Sequence, residues 1–293
     1  MTVPARPTRA RPAVGAPPPR GGGGEPVGEK DRRRGGSVGQ VAGLGKPLLV
    51  EGPAGVGKTE LARAVAQATG SGLVRLQCYE GVDEARALYE WNHAKQILRI
   101  QAGSGDWEAT KTDVFSEEFL LQRPLLTAIR RTEPTVLLID ETDKADIEIE
   151  GLLLEVLSDF AVTVPELGTL TATRAPFVLL TSNATRELSE ALKRRCLYLH
   201  IDFPTPELER RILLSRVPEL PEHFAEELVR IIGVLRGMQL KKVPSIAETI
   251  DWGRTVLALG LDTIDDAVVA ATLGVVLKHQ SDQQRATGEL RLN

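Results

Sequence analysis

The segment 52–59, which reads G-P-A-G-V-G-K-T, constrains the fold of this chain more than any other feature. It fits the phosphate-binding pattern G-x-x-x-x-G-K-[ST], in which glycines let successive backbone N–H groups turn toward one anion. The apolar run 47–50 before it predicts a buried strand, and the apolar spacing of 61–68 after it predicts a helix. A phosphate at this strand–loop–helix junction would also meet the positive end of the helix dipole.

The pattern predicts a site for a nucleoside triphosphate, with defined roles for its last two residues. We expect Lys58 to reach the β- and γ-phosphates of ATP, and we expect the Thr59 hydroxyl to bind Mg²⁺. The predicted nucleotide-binding residues are Gly52, Pro53, Ala54, Gly55, Val56, Gly57, Lys58 and Thr59.

Composition narrows the class of protein. The 293 residues suffice for one large domain, or for a core with a smaller second domain. No apolar run is long enough to span a bilayer, and the basic N-terminus lacks the apolar stretch of a secretory signal. The two cysteines, Cys78 and Cys196, form neither a disulfide framework nor a metal-site spacing. We therefore expect a cytoplasmic protein with no membrane partner.

Charge is unevenly distributed along the chain. Residues 1–38 are rich in Pro, Gly and Arg and carry a net charge of +5, which predicts a disordered tail. Because the whole chain carries −4, the remaining residues carry −9. An acidic body argues against a general nucleic-acid binder, although the basic tail leaves contact with anions open.

Apolar runs and helical spacings alternate after the tail and predict an α/β fold, which together with the phosphate-binding pattern at 52–59 resembles a P-loop NTPase. Short runs of this kind are typical of parallel strands buried on both faces, so we expect a five-stranded parallel sheet flanked by helices. The second run alternates in polarity and suits a sheet edge. The predicted strands are 47–51, 73–77, 135–140, 177–182 and 197–201, and the predicted helices are 58–69, 83–100, 116–131, 146–158 and 186–194.

Three irregularities refine the predicted organisation. The segment 160–173 predicts a β-hairpin inserted before the fourth core strand, and 87–92 predicts an interruption in the helix after the second strand. Residues 207–280 have helical spacing throughout. We therefore predict three regions: a tail at 1–38, an α/β nucleotide-binding domain at 39–205, and a small all-α lid domain at 206–293.

Two consecutive carboxylates end the third predicted strand. Asp140, at the strand tip, is expected to hold Mg²⁺ directly or through water, and Glu141 is expected to polarise an attacking water. An acidic loop after a buried strand would look similar on its own. The phosphate-binding pattern about eighty residues earlier favours the catalytic interpretation.

Further candidates follow the fourth strand and precede the fifth. Asn183 ends an apolar strand and is expected to orient the water or to contact the γ-phosphate, although Asn is also common in turns. Arg194 and Arg195 follow a predicted helix. A guanidinium group there can stabilise transition-state charge across a subunit boundary, or it can simply complement the helix dipole.

These four features, in this order and at these separations, resemble the AAA+ ATPases. The resemblance identifies 52–59 as Walker A, Asp140 and Glu141 as the end of Walker B, Asn183 as sensor 1, and Arg195 as the arginine finger, with Arg194 as the alternative. The hairpin at 160–173 and the interruption at 87–92 resemble insertions of the MoxR branch. Further stretches resemble MoxR ATPases associated with carbon-monoxide-dehydrogenase gene clusters, namely 76–81, 88–91, 153–160 and 244–252.

The resemblance implies a mechanoenzyme. Similar proteins form rings, usually hexamers, with ATP between neighbours, and they work with a partner that carries a von Willebrand factor A domain. They act on a metalloenzyme client during its maturation. The leading hypothesis is therefore ATP hydrolysis with Mg²⁺ that remodels a partner protein. The alternatives are a nucleotide-gated scaffold with negligible hydrolysis and, with nucleic acid an unlikely partner, a nucleic-acid motor.

Two features differ from the family pattern. Relatives usually place a structured helix before the first strand, whereas only 39–46 separates the tail from it here, so the adenine contacts stay open. Many relatives place a sensor 2 arginine after a Ser-Pro pair, where this chain has Ser245 after 243–244. The candidates for that role are Lys241, Lys242 and Arg254.

Overall fold

The structure is a computed structural model that describes residues 45–102, 113–261 and 263–290. The predicted tail at 1–38 lies outside the described residues. The strands are β1 (Leu48–Glu51), β2 (Gly72–Gln77), β3 (Tyr89–Trp91), β4 (Leu120–Gln122), β5 (Thr135–Asp140), β6 (Ala161–Val164), β7 (Gly168–Thr171), β8 (Phe177–Ser182) and β9 (Leu197–His200). The helices are α1 (Lys58–Thr69), α2 (Glu84–Ala87), α3 (His93–Ala102), α4 (Pro124–Arg130), α5 (Ile147–Asp159), α6 (Glu190–Arg195), α7 (Pro206–Arg216), α8 (Glu222–Gly237), α9 (Ile246–Ala258), α10 (Asp266–Val276) and α11 (Gln280–Glu289).

The central sheet has five parallel strands in the order β2-β5-β8-β1-β9, which confirms the predicted sheet. Strand β2 lies at an edge, as the alternating polarity of its sequence predicts. Because all five strands run the same way, their carboxyl ends meet along one side of the sheet. Ligands of open α/β sheets bind on that side.

Helices cover both faces of the sheet because side chains of a strand alternate between its two faces. Leu48 and Val50 of β1 pack with Ala62 and Ala66 of α1 on one face. Leu49 between them belongs to a second cluster, which includes buried residues of α4 and α5. The near-continuous apolar strands thus reflect burial on two sides.

Two predicted helices are wrong in part. The segment predicted as a helix at 83–100 forms α2, β3 and α3, and the one at 116–131 forms a 3-10 turn, β4 and α4. Strands β3 and β4 pair antiparallel, so the expected interruption near 87–92 is confirmed. Local periodicity could not show this pairing because the two strands lie about thirty residues apart and stabilise each other.

The last helix of the α/β part is shorter than predicted. It spans Glu190–Arg195 rather than 186–194, because the Ser189 side chain accepts a bond from the N–H of Leu192 and caps its start. The predicted hairpin is confirmed: β6 and β7 pair antiparallel, with Val162 opposite Leu170. It lies directly before β8 in the chain.

Helices α7–α11 form the helical C-terminal region. They share a hydrophobic cluster of their own, in which Trp252 is fully buried and its indole N–H donates to Thr272 Oγ1 at 2.8 Å. The division into an α/β domain at 39–205 and a lid domain at 206–293 stays a prediction. Across the described parts of the chain, no helix combines the length and apolar character needed to cross a membrane.

Candidate functional site

The phosphate-binding loop connects β1 to α1 and depends on close backbone approaches. At Gly52 the backbone has φ 152°, and a Cβ there would lie 1.9 Å from the carbonyl oxygen of Ile201. At Gly55 the backbone has φ 73°, and a Cβ would lie 2.4 Å from the Cβ of Ser245, just before α9. Both positions therefore require glycine. The loop is fixed between the end of β9 and the start of α9.

Lys58 is the first residue of α1 and its side chain folds over the loop. Only 6% of the residue is exposed, and its ammonium donates to the carbonyl oxygens of Gly52 and Pro53 at 2.7 Å each. A third bond of 2.8 Å reaches Oδ1 of Asn183 at the end of β8. Burial lowers the pKa of Lys58, and the carboxylates of Asp143 and Asp140 offset part of that change.

Thr59 and Asp140 form a hydroxyl–carboxylate pair. Thr59 Oγ1 lies 3.2 and 3.3 Å from the two carboxylate oxygens of Asp140. Thr181 Oγ1 donates to Oδ1 of the same carboxylate at 2.5 Å, and a guanidinium nitrogen of Arg75 donates to Oδ2 at 2.6 Å. The pair fits Mg²⁺, a hard cation that proteins usually bind through one or two carboxylates together with substrate phosphates.

Glu141 adopts a left-handed backbone with φ 56° and ψ 48°. This conformation costs a non-glycine residue about 1 kcal/mol or more, and here the Glu141 N–H donates to Thr181 Oγ1 at 2.9 Å. The carboxylate accepts bonds from Gln77 at 3.1 Å and from Lys144 at 2.6 Å. Backbone and side chain are thus both held, so the carboxylate has a defined direction beside Asp140.

Asp143 is a site residue that the sequence analysis did not identify. It is buried and accepts hydrogen bonds from the N–H of Asn183, the N–H of Thr185 and the Thr185 hydroxyl. Burial alone raises the pKa of Asp143, but these hydrogen bonds outweigh it and lower the pKa. The loop that carries Asn183 is therefore anchored by a buried carboxylate.

A cavity of about 1100 Å³ connects these residues with the helical region. On the sheet side it is lined by the loop residues Ala54–Thr59 and by Asp140, Glu141, Thr181 and Asn183. On the helical side it is lined by Leu208, Arg211, Ile212, Leu214, Ser215, Arg216, Ile246, Ala247, Ile250, Asp251 and Arg254. The apolar residues of α7 and α9 form part of one wall of the cavity. In the sequence, these residues are marked only by a helical spacing of four, and ordinary core residues have the same spacing.

The structure brings most of the predicted site residues together at the cavity, whereas two pairs of them lie outside its lining. Lys58, Thr59, Asp140, Glu141 and Asn183 line the cavity, and of the sensor 2 candidates only Arg254 does so. The predicted loop residues Gly52 and Pro53 lie outside this lining, and their carbonyl oxygens accept hydrogen bonds from Lys58. The finger candidates Arg194 and Arg195 lie outside this lining and are exposed.

Arg195 contacts its own chain only weakly. Within the described residues, its Nε donates to the Ser158 hydroxyl at 3.0 Å, and a terminal guanidinium nitrogen donates to the carbonyl oxygen of Ala191 at 3.3 Å. Both partners are neutral. The guanidinium charge is consequently not neutralised by a carboxylate in these contacts.

Residues 47–196, about half of the chain, match the family model described as the AAA domain of the dynein-related subfamily. Curated relatives include the chaperone protein ClpB 1 of Synechocystis sp., which is 27% identical over 237 residues, covering 76% of this chain and 23% of that protein. Another is the chaperone protein ClpB of Chlamydia pneumoniae, 23% identical over 223 residues, covering 72% of this chain and 24% of that protein. The chain thus spans about a quarter of the length of these relatives. A mutant of RuvB from Thermotoga maritima has a similar fold, with a TM-score of 0.51 and 16% identity, covering 92% of this chain and 72% of that one.

Proposed function

The chain belongs to the AAA+ ATPases, in the dynein-related subfamily of AAA domains, and from this premise we propose that it hydrolyses ATP with Mg²⁺ to remodel a partner protein. The convergence of five polar side chains at one cavity carries the proposal. Lys58, Thr59, Asp140, Glu141 and Asn183 come from three separate segments of the chain. Phosphoryl transfer depends on positioning and on electrostatic stabilisation of the transferring group, which this set of side chains can supply.

Lys58 and the loop are proposed to bind the triphosphate. The Lys58 ammonium donates to the loop carbonyl oxygens and to Asn183. Because its side chain is long, the ammonium can donate to phosphate oxygens instead. Thr59 and Asp140 would hold Mg²⁺ through their oxygens. When bound, this ion neutralises charge on the β- and γ-phosphate oxygens.

Glu141 is proposed as the general base and Asn183 as the residue that positions the attacking water. A general base must accept a proton from a water held in a defined direction. The bonds from Gln77 and Lys144 support this role because they orient the Glu141 carboxylate. The Asp143 anchor supports the role of Asn183 because it fixes the loop that carries it.

Assembly into a ring, usually a hexamer, completes the proposed site. Arg195, with Arg194 as the alternative, stabilises charge at the γ-phosphate held by the neighbouring protomer. Two observations support an action in trans. Both arginines are exposed, and neither lines the cavity of its own chain.

The biological role belongs to the same proposal. We place the chain in the MoxR branch, with a von Willebrand factor A domain protein as partner and a metalloenzyme as client, in the cytoplasm. The sequence stretches that resemble this branch support it, and the ClpB relatives are named chaperone proteins. The residues 206–293 act as a lid over the base of ATP in this proposal, because α7 and α9 line one side of the cavity.

Replacing Glu141 by Gln tests the proposal. The amide keeps the shape of the side chain but cannot accept the proton, so turnover should fall by about 10²- to 10⁴-fold while nucleotide binding persists. Steady-state phosphate release and binding of a fluorescent ATP analogue give the two readouts. Glu219→Gln, an exposed residue outside the cavity lining, is the matched control and should release phosphate at the wild-type rate.

The same experiment separates hydrolysis from a nucleotide-gated scaffold. A wild-type protein that binds ATP with Mg²⁺ but releases phosphate no faster than a protein-free solution of ATP would establish the scaffold instead. Phosphate release by Glu141→Gln within twofold of a measurable wild-type rate would exclude Glu141 as the base.

A further inference from the structure

Arg75 lies beside the proposed magnesium site although it cannot be a metal ligand. It is part of the edge strand β2, and one of its terminal guanidinium nitrogens lies 2.6 Å from Oδ2 of Asp140. The Asp140 side chain is 4% exposed and the Arg75 side chain 46% exposed. A half-exposed arginine is thus joined to a buried carboxylate that the proposed function assigns to Mg²⁺.

The register of the sheet explains how Arg75 reaches this carboxylate. Gln77 lies directly opposite Asp140 in the β2–β5 pair, and Arg75 is two residues earlier on the same face of β2. Diagonal neighbours on one face of a sheet lie within reach of a long side chain. Arg75 also donates to the side-chain oxygen of Gln77, whose amide in turn donates to Glu141 at 3.1 Å. A hydrogen-bonded series therefore joins Asp140 to Glu141 through β2.

The contacts around Asp140 fix the orientation of its carboxylate group. Thr181 donates to Oδ1 and Arg75 donates to Oδ2, so each oxygen is held from a different side. Thr59 Oγ1 lies nearly equidistant from both oxygens. Rotation of the carboxylate would break at least one of these bonds. Of the two donors that the described residues outside the phosphate-binding loop supply, only Arg75 is charged.

We propose that Arg75 is a positioning residue, which orients the Asp140 carboxylate toward Thr59 and thereby strengthens Mg²⁺ binding. The inference rests on the proposed function, because it takes Asp140 and Thr59 as the residues that hold the ion. It goes beyond that function by giving a role to a residue outside the Walker A and Walker B motifs.

Two physical effects of removing Arg75 have opposite signs. Loss of a positive charge near the ion would tighten Mg²⁺ binding, whereas loss of the orienting bond would weaken it. Water screens the charge because almost half of the Arg75 side chain is exposed. Losing a partner that orients a ligand typically lowers metal affinity by about 10- to 100-fold. The loss of the orienting bond therefore outweighs the loss of the positive charge, and Arg75→Ala should weaken Mg²⁺ binding.

The test measures the Mg²⁺ concentration that half-saturates binding of a fluorescent ATP analogue to the 293-residue chain. Arg75→Ala should raise this concentration by about tenfold. Binding of the analogue in EDTA should stay within twofold of wild type, which a general structural defect would not allow. Arg75→Lys keeps a charged donor and should raise the half-saturating Mg²⁺ concentration less than Arg75→Ala does. Arg99→Ala removes an arginine that is 58% exposed and paired with Asp113, and it should behave as wild type.

The outcomes separate this inference from the proposed function. If the wild-type chain binds no nucleotide with Mg²⁺, the proposed function fails. If wild type binds but Arg75→Ala has an unchanged or lower half-saturating Mg²⁺ concentration, only the role of Arg75 is overturned. Should the Ala variant lose its thermal unfolding transition, Arg75→Met keeps the length of the side chain and is judged by the same outcomes.

Discussion

Asp143 shows how a single buried carboxylate can organise the site without touching a ligand. Its two oxygens accept three hydrogen bonds from Asn183 and Thr185, so the turn after β8 is tied to the turn after β5. These bonds lower the pKa of the carboxyl despite its burial, which shows that they favour the charged form. The position of Asn183 thus depends on a charge two residues beyond Glu141.

Asp143→Asn should destabilise the protein by about 1–3 kcal/mol at neutral pH, because one carbonyl oxygen cannot replace two acceptors. The folded-state pKa of Asp143 lies below its ordinary value of 3.8, so its contribution is present above that pH and is lost as the pH falls through the folded value. The free-energy difference between wild type and variant should therefore stay constant from pH 7 to about 5 and shrink below about 4. Urea unfolding across this range measures it.

Asp146→Asn is the matched control for this pH series. Asp146 caps α5 by accepting from the N–H of Ile149, and Asn caps a helix about equally well. The free energy of unfolding of Asp146→Asn should therefore stay close to that of wild type at each pH. A difference between wild type and Asp143→Asn that grows on acidification would contradict the account of Asp143.

At the residue scale, the sequence predicted the residues that belong to a motif and missed those that support them. Lys58, Asp140 and Asn183 lie in patterns whose spacing reflects one chemical task, so their convergence could be expected. Arg75 and Asp143 act through hydrogen bonds between segments that are distant in sequence. No local pattern encodes those bonds, because they depend on strand order and register.

At the scale of elements, β1, β5 and β8 were predictable because burial on two faces makes them almost continuously apolar. The insertion strands β3 and β4 were not, since each is three residues long and is stabilised by its partner. The apolar residues of α7 and α9 that line the cavity were also missed. Their spacing does not distinguish a core face from a ligand-facing one.

A buried ion pair connects α7 and α8 with the segment before α9. Arg236 donates to both carboxylate oxygens of Glu209, at 2.5 and 2.8 Å, and to the carbonyl oxygen of Pro244 at 2.9 Å. Its guanidinium also lies 4.3 Å from the centre of the Phe203 ring. The Glu209 side chain is only 2% exposed, so its charge depends on this partner.

Arg236→Met should lower the free energy of unfolding by about 3–5 kcal/mol, because it leaves the Glu209 carboxylate buried without a counter-charge. Urea unfolding followed by circular dichroism measures the change. Arg230→Met is the control on the same helix, since Arg230 is 65% exposed and pairs with Glu227. Arg230→Met should lower the free energy of unfolding by less than about 1 kcal/mol.

A second variant distinguishes the lost pairing from lost packing. Adding Glu209→Gln to Arg236→Met removes the uncompensated charge and should recover part of the stability. Equal losses for Arg236→Met and Arg230→Met would show that the buried pair contributes no more than a surface pair does.

At the scale of the whole molecule, the site combines two kinds of surface. The sheet presents charged and polar groups at the carboxyl ends of β1, β5 and β8, and the helical region presents apolar side chains across the cavity. A ligand with anionic groups at one end and an apolar ring at the other would match both surfaces. A nucleoside triphosphate has this form, which connects the geometry of the cavity to the family of the chain.

Titration calorimetry of ATP into the 293-residue chain, with Mg²⁺ and with EDTA, tests the central claim most directly. The account predicts one ATP bound per chain with a heat that depends on Mg²⁺, and it predicts that Thr59→Val, which keeps the size of the side chain but removes the hydroxyl, abolishes that dependence. Identical heats with Mg²⁺ and with EDTA, or no binding to folded wild-type protein, would contradict it.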